Sequence, residues 1–261
     1  MRNSDENWNN LFGEYAVDET AWYGDWTVYS PNQIVISSKQ AIRGFRSNSG
    51  NTVITHMNRY VVADGNIEEK TWQIERATCN QPDGVVHPAM PFMRALSFGE
   101  GATAWIAPRF VPGKSFGVEF FFRNNNWRTS VAIVYGENGC LDRIVHIQEH
   151  LDYFSDKPLS LEASEISGNW IEKKRSMTAD LSISPEEAIQ LSFDQFSSHH
   201  KMISLPSNLI LMLPERVNID QPIQIAAAQR TAEHQLKYFV AHYAVTGAFT
   251  SLISASMQRN V

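Results

Sequence analysis

The chain has 261 residues, 43% hydrophobic, 11% aromatic and 19% charged, with 22 Lys plus Arg against 28 Asp plus Glu for a net charge of −6. That length suffices for one large or two small cores, at roughly 100–200 residues per domain. A mildly acidic chain argues against a nucleic-acid partner, which wants a clustered basic surface, and no apolar run approaches the roughly 18–20 residues of a spanning helix.

The opening residues lack the apolar core of a secretory leader, so a cytoplasmic protein is expected. Its two cysteines, Cys79 and Cys140, are then expected to be reduced thiols, and neither lies in a Cys-x-x-Cys motif. Trp8, Leu11, Phe12, Tyr15 and Ala16 fall on one stripe of a 3.6-residue helix, with Asp5 as its N-cap. After Thr20 the pattern changes. Runs rich in β-branched and aromatic residues occupy residues 22–30, 33–46, 52–62, 68–77, 103–107, 115–123, 128–135 and 141–148. Turn chemistry separates them, at Ser30-Pro31-Asn32, Asn48-Ser49-Gly50-Asn51, Ala63-Asp64-Gly65-Asn66, Asn124-Asn125-Asn126 and Gly136-Glu137-Asn138-Gly139. Residues 81–92, with Pro82, Pro88 and Pro91, read as a long loop, because proline lacks the ladder donor.

Alternation is clearest at Phe116, Val118, Phe120 and Phe122, which places Glu119 and Arg123 on the opposite, solvated face. Ile34, Ile36 and Ile42 likewise oppose Lys39 and Arg43. The polar stretch 152–165 makes the best boundary, giving an N-terminal unit at 1–151, a linker at 152–165 and a smaller C-terminal unit at 166–261. Strands are expected there at 170–175, 209–213, 223–228, 236–244 and 248–257. Ser184-Pro185-Glu186-Glu187 matches a helix start, yet Ile189, Leu191 and Phe193 alternate like a strand, so both readings stand. His199-His200 reads as loop, since neighbours on a strand point to opposite faces and cannot share a metal.

The halves share landmarks. Gly24-Asp25-Trp26 opens one strand run and Gly168-Asn169-Trp170 the other. Tyr135 with Gly139 closes the first, and Tyr243 with Gly247 the second. The order of these landmarks predicts a duplicated barrel whose second copy is abbreviated. The fold expected is all-β: two lipocalin-like antiparallel β-barrels with a short N-terminal helix.

Gly24-Asp25-Trp26 on an opening strand, after a short helix and before a meander, resembles the first signature of the lipocalin/calycin barrels. The whole chain resembles, more specifically, a mainly cyanobacterial family of lipocalin-like proteins classed by a domain of unknown function. The resemblance rests on Trp8-Asn9-Asn10-Leu11-Phe12, Asn58-Arg59-Tyr60, Glu119 to Arg123, Arg143 to Glu149, and Leu213-Pro214-Glu215-Arg216. It implies that Trp26 packs at the closed end of the first barrel with an Arg of the last strand across it. Arg143 is the matching candidate, a guanidinium over an indole being a sound pair. Trp170 takes the place of Trp26 in the second half, where Arg259 is the corresponding arginine at an unlike spacing from Gly247.

No Gly-x-Ser-x-Gly, Walker loop, Gly-x-Gly-x-x-Gly or His-Glu-x-x-His occurs, and no cofactor or metal is called for. Chemistry would come from polar residues on the long strands: His56, Arg59, Glu119, Arg123, Arg128, Arg143, His146 and Glu149. Glu119 and His146 are the proton-exchange candidates, while His56, Arg59, Trp105, Phe120, Phe122 and Arg123 are the expected ligand contacts. An eight-strand barrel can hold one small ligand, and aromatic lining favours a flat, apolar guest. The expected function is therefore binding of a small hydrophobic, conjugated or aromatic metabolite. The resemblance adds two alternatives, a cofactor-free cyclase of pigment, indole or isoprenoid metabolism and a bilin lyase-like chaperone.

Overall fold

A computed structural model describes residues 3–13, 20–61, 66–157, 169–192 and 200–259. The chain opens with helix α1 (Asn3–Phe12) and continues through β1 (Thr20–Tyr29), β2 (Val35–Ser47), β3 (Val53–Val61) and β4 (Ile67–Glu75). A single turn of helix, α2 (Arg76–Cys79), leads to β5 (Asn80–Gln81), β6 (Gly84–His87), β7 (Met90–Ser97) and β8 (Thr103–Ile106). The long strands β9 (Phe116–Asn124), β10 (Trp127–Tyr135) and β11 (Leu141–Leu151) follow. The remainder forms β12 (Asn169–Thr178), β13 (Glu187–Ser192), β14 (His200–Leu205), β15 (Leu209–Pro214), β16 (Ile223–Ala232), β17 (Gln235–Tyr243) and β18 (Phe249–Arg259).

Eleven strands make one sheet in the order β4-β3-β2-β1-β11-β10-β9-β8-β7-β6-β5, curled into a nearly closed barrel. Its two edge strands, β4 and β5, are sequence neighbours joined through α2. Seven strands make the other sheet, in the order β13-β12-β18-β17-β16-β15-β14. In both, the strand carrying the landmark tryptophan pairs with the last strand of its half: β1 with β11, and β12 with β18. The chain divides into two compact units, residues 1–108, 119–133 and 143–156 in the first, and 109–118, 134–142 and 157–261 in the second. Residues 158–165 of the expected linker lie outside the described residues.

Helix α1 runs two residues ahead of its expected cap. Asp5 sits in the first turn, and its carboxylate accepts a hydrogen bond from Arg76 Nη2 at 2.9 Å. Trp8 and Phe12, four residues apart, meet edge to face at 4.7 Å and bury against Ile54, Ile74, Val85 and Ala95. Asn7 fixes the helix to β7, donating to Ala95 O and accepting from Ser97 N. Tyr15 and Ala16 of the expected stripe lie outside the described residues, as do residue 62 of the expected strand and residues 63–65 of the expected turn.

The proline segment corrects the loop expectation: β5, β6 and the start of β7 occupy it. Pro82 and Pro88 fall in the turns between these strands, and Pro91 falls where the β6–β7 register shifts, so none has to donate to a regular ladder. Strand β13 settles the Ser184 segment in favour of a strand, and His200 opens β14 rather than lying in a loop. Phe193 and His199 lie outside the described residues.

At Gly24 the backbone of β1 approaches β11 so closely that a Cβ would sit 1.9 Å from Gln148 O, which is why the motif needs glycine there. The two Tyr-to-Gly landmarks of the repeat adopt one turn. Gly136 N donates to Cys140 O and Gly139 N to Gly136 O; equivalently, Ala244 N donates to Ala248 O and Gly247 N to Ala244 O. Gly139 and Gly247 share a φ of 75°. Each carbonyl accepts from a matching partner in the second unit, Val217 N onto Gly139 O and Phe110 N onto Gly247 O, both at 2.8 Å. Trp170 is buried among Met212, Ala226, Ala228, Leu236, Val240 and Met257.

Candidate functional site

The first unit encloses a cavity of about 460 Å³. Strand alternation decides what lines it. Trp22 and Trp26 come from β1, Arg43 and Phe45 from β2, His56, Asn58 and Tyr60 from β3, and Lys70, Trp72 and Ile74 from β4. Glu119, Phe121 and Arg123 come from β9, Arg128 and Ala132 from β10, and Val145 and Ile147 from β11. Leu11 and Phe12 of α1, His87 of β6 and Trp105 of β8 complete the apolar and aromatic wall. The wall is thus made of rings with a few charged groups among them, as small-molecule cavities are.

Glu149 anchors the charged part. It is fully buried, accepts two hydrogen bonds from Arg128 at 3.0 and 2.6 Å, and accepts a third from Trp26 Nε1 at 3.2 Å. Burial pushes its carboxyl up, but Arg128, Arg43 and these bonds outweigh that and hold it below the ordinary range. Burial likewise brings Arg128 down to about 10, against the pull of Glu149. Glu119 behaves oppositely. Burial raises its carboxyl, and neither Arg43 nor the hydrogen bond it accepts from Ser130 Oγ at 2.9 Å restores the ordinary value.

A second polar feature is a continuous chain of hydrogen bonds. Ala89 N donates to His87 Nδ1 at 3.1 Å, His87 Nε2 lies 2.8 Å from His56 Nδ1, and His56 Nε2 lies 3.1 Å from Asn58 Oδ1. Asn58 Nδ2 then donates to the Tyr60 hydroxyl at 3.0 Å. A backbone N–H can only donate, so His87 Nδ1 accepts and its Nε2 carries the proton. His56 in turn accepts on Nδ1 and donates from Nε2. Both imidazoles are therefore neutral, and burial together with the Arg43 charge lowers both, His87 to about 4. The chain ends at Tyr60, whose oxygen accepts from Asn58 and whose proton is left to donate. Aromatic rings hold the histidines: Phe45 stacks on His56 at 4.6 Å, and Trp72 and Trp105 pack against His87.

Among the residues expected at the site, Glu119, His56, Trp105 and Arg123 line the cavity. Phe120 and Phe122 do not; they are buried on the opposite face of β9, and Phe121 takes the inward position. The expectation that Glu119 and Arg123 lie on a solvated face is thereby corrected, because that face of β9 lines the cavity. His146 is buried on the face of β11 opposite Val145 and Ile147. Arg59 points outward from β3, its side chain 42% exposed and paired with Glu69 at 2.9 Å.

The arginine over Trp26 is Arg43, 4.6 Å from the ring centre, and not Arg143, which is exposed beyond the paired end of β1. Trp26 itself is half-buried on the cavity wall; among the described residues the fully buried indoles of this unit are Trp8 and Trp22. In the second unit Trp170 is directly paired in register with Arg259, whose guanidinium lies 5.9 Å from the indole centre. Arg43, Tyr60, Lys70 and His87 are cavity residues that strand patterning missed. Arg43 was hidden by parity, since Ile34 and Ile36, taken to mark the inner face of β2, are 66% and 61% exposed. Among the described residues no group of three or more His, Cys, Asp or Glu is arranged to hold a metal.

The family described as "Domain of unknown function (DUF3598), N-terminal" matches residues 4–154. The chain belongs to the DUF3598 family. A solved DUF3598 protein of unknown function from Nostoc punctiforme shares 17% identity over 97% of this chain and 99% of its own, with a TM-score of 0.74. That likeness establishes the fold of the whole DUF3598 chain, as the cyanobacterial resemblance implied. A putative AttH from Nitrosomonas europaea (7% identity, 95% and 94% coverage) and a putative outer membrane protein from Bacteroides fragilis (7% identity, 99% and 100% coverage) reach TM-scores of only 0.25 and 0.24. Neither bears on the reading of this chain. No curated protein matches it. No helix among the described residues is long and apolar enough to cross a membrane.

Proposed function

We propose that this DUF3598 protein binds a small, flat, mainly apolar metabolite, conjugated or aromatic, inside its first barrel. The observation that supports this is the cavity of about 460 Å³ walled by Trp22, Trp26, Trp72, Trp105, Phe45 and Phe121. Rings of this kind pack edge or face against a planar guest, and the volume lies within the range of about 300–1,000 Å³ typical of small-molecule sites. Titration with 1-pyrenebutanol, a neutral flat probe whose absorption overlaps indole emission, is expected to give saturable energy transfer at a 1:1 ratio. Absence of saturable transfer both with this probe and with its carboxylic acid counterpart, 1-pyrenebutyric acid, would overturn the reading.

Glu119 favours a second reading, a cofactor-independent cyclase acting in the same cavity. A carboxyl raised by burial and facing an aromatic cavity holds its proton more readily than an ordinary one and is placed to donate it to a guest. On that reading, wild-type protein converts indole keto acids or polyprenyl compounds into products of altered mass or retention. Glu119→Gln binds them and returns them unchanged. Recovery of every compound unaltered from the wild type favours the carrier.

A further inference from the structure

Apart from Glu119, whose carboxyl accepts from Ser130 Oγ, the unpaired polar groups of the cavity wall are donors. Of the four cations that line it, Lys70 is paired with Glu68 at 2.9 Å, Arg123 donates to Asn125 O and Arg128 is hydrogen-bonded twice to Glu149. Arg43 is different. Its side chain is 9% exposed, its Nε lies 3.5 Å from Glu149 Oε1 without forming a hydrogen bond, and the guanidinium has no hydrogen-bond acceptor among the described residues. Glu149 already answers Arg128, so two buried guanidinium charges share one low-lying carboxylate. A buried charge without a full partner is costly, and the cost is removed when an anion arrives. Tyr60 adds a hydroxyl proton left over by the His87–His56–Asn58 chain, and the indole N–H of Trp22 is buried with no acceptor. Every one of these unused groups is a donor. Trp26 links two of them, its ring lying 4.6 Å from the Arg43 guanidinium and 5.4 Å from the Tyr60 ring.

We infer that the ligand of this cavity carries a carboxylate, seated on the guanidinium of Arg43 with the Tyr60 hydroxyl as a further donor, while its apolar body lies among the tryptophans. The inference rests on the reading of the cavity as a ligand site and names the class of ligand. A carboxylate is planar, accepts only, and matches the guanidinium fork with a single charge. A phosphate ester would bring about two negative charges near neutral pH to a single guanidinium fork, with the Glu119 carboxyl on the same wall.

The test compares 1-pyrenebutyric acid with 1-pyrenebutanol, which differ at the carboxylate alone, by energy transfer from tryptophan at pH 7.5. The wild type is expected to bind the acid at least about tenfold more tightly than the alcohol. Arg43→Gln should erase that preference and leave alcohol binding within about twofold, whereas Arg43→Lys, which keeps the charge and loses the fork, should retain part of it. Tyr60→Phe should weaken the acid by about threefold, the scale of one neutral hydrogen bond. Arg59→Gln, on the outside of β3, should change nothing. Equal binding of acid and alcohol by the wild type overturns the carboxylate and leaves the cavity standing. A preference that survives in Arg43→Gln overturns Arg43 as its seat. Failure of both probes overturns the cavity reading and this inference with it. Thermal midpoints of the variants separate lost binding from lost folding, and the wild-type comparison holds even if a variant does not fold.

Discussion

The two units carry the same landmark in opposite surroundings. In the second, Trp170 with Arg259 beside it is sealed by Met212, Met257 and a row of alanines, and it is 1% exposed. In the first, Trp26 with Arg43 above it is half-buried and borders the cavity. Although Glu172 and Arg230 are buried in the second unit too, the residues packed around Trp170 are mainly apolar, whereas charged and hydrogen-bonded groups surround Trp26. Alanine and methionine can close around an indole, because they are small or adaptable and have nothing to hydrate. Arg43, Arg128, Glu119, Glu149 and the His87-to-Tyr60 chain cannot collapse in that way. Each is held at a fixed distance by a hydrogen bond or charge, and bringing them together dry would leave donors unmet. A shared strand plan thus yields a packed core in one unit and a hollow in the other.

Truncating the two tryptophans tests this contrast most severely. Trp170→Ala should cost about 3–5 kcal/mol by chemical denaturation, the usual penalty for deleting a fully packed aromatic ring. Trp26→Ala should cost about 1–2 kcal/mol and weaken pyrenebutanol binding at least about tenfold, since the ring already faces a void. Equal losses of stability from both would mean that Trp26 is core rather than wall.

Filling the two interiors gives the next effect. Ala228, fully buried in the second unit, has no room, so Ala228→Leu should destabilise by about 1–3 kcal/mol. Ala132 borders the cavity, so Ala132→Leu should leave the melting temperature nearly unchanged while abolishing probe binding. A large loss of stability at Ala132 would show that the hollow is not free space.

The smallest effect concerns Glu119 and depends on pH. Its folded pKa is raised above the ordinary value of 4.5 by burial, so the protonated form is the one the fold prefers. Its contribution is present below the ordinary carboxylate range and is lost as pH rises through the raised value. Glu119→Gln removes that loss. The variant should melt with the wild type near pH 4 and progressively above it toward pH 8. Parallel melting curves across that range would place the carboxyl in water rather than against the cavity.

Much of this was legible before any coordinates. The amphipathic stripe of Trp8 and Phe12, the long strands, and the turns at Asn48 and Gly136 follow from local preference and period. So does the repeat, whose matching glycines Gly139 and Gly247 each stand where a Cβ would strike a backbone oxygen at 2.5 Å. The proline segment was misread because proline forbids a ladder donor without forbidding a hairpin that turns at the proline. Glu119, His56, Trp105 and Arg123 were recognisable as polar or aromatic outliers on strands. Arg43 was not, because Ile34 and Ile36 marked the wrong face of its strand.

The sequence by itself determined most of the long strands, the turns between them and the paired landmarks of the two halves. Each of these depends on neighbours along the chain. Only the tertiary structure decided which face of each strand looks inward. A period of two permits both answers, and on β11 residues 146–150 are buried on both faces, so apolarity does not choose between them. That single choice turns Phe121, Glu119 and Arg43 toward the cavity and Phe120, Phe122 and His146 away from it. It follows from pairing across strands far apart in sequence, as when β1 closes on β11, which no local pattern encodes.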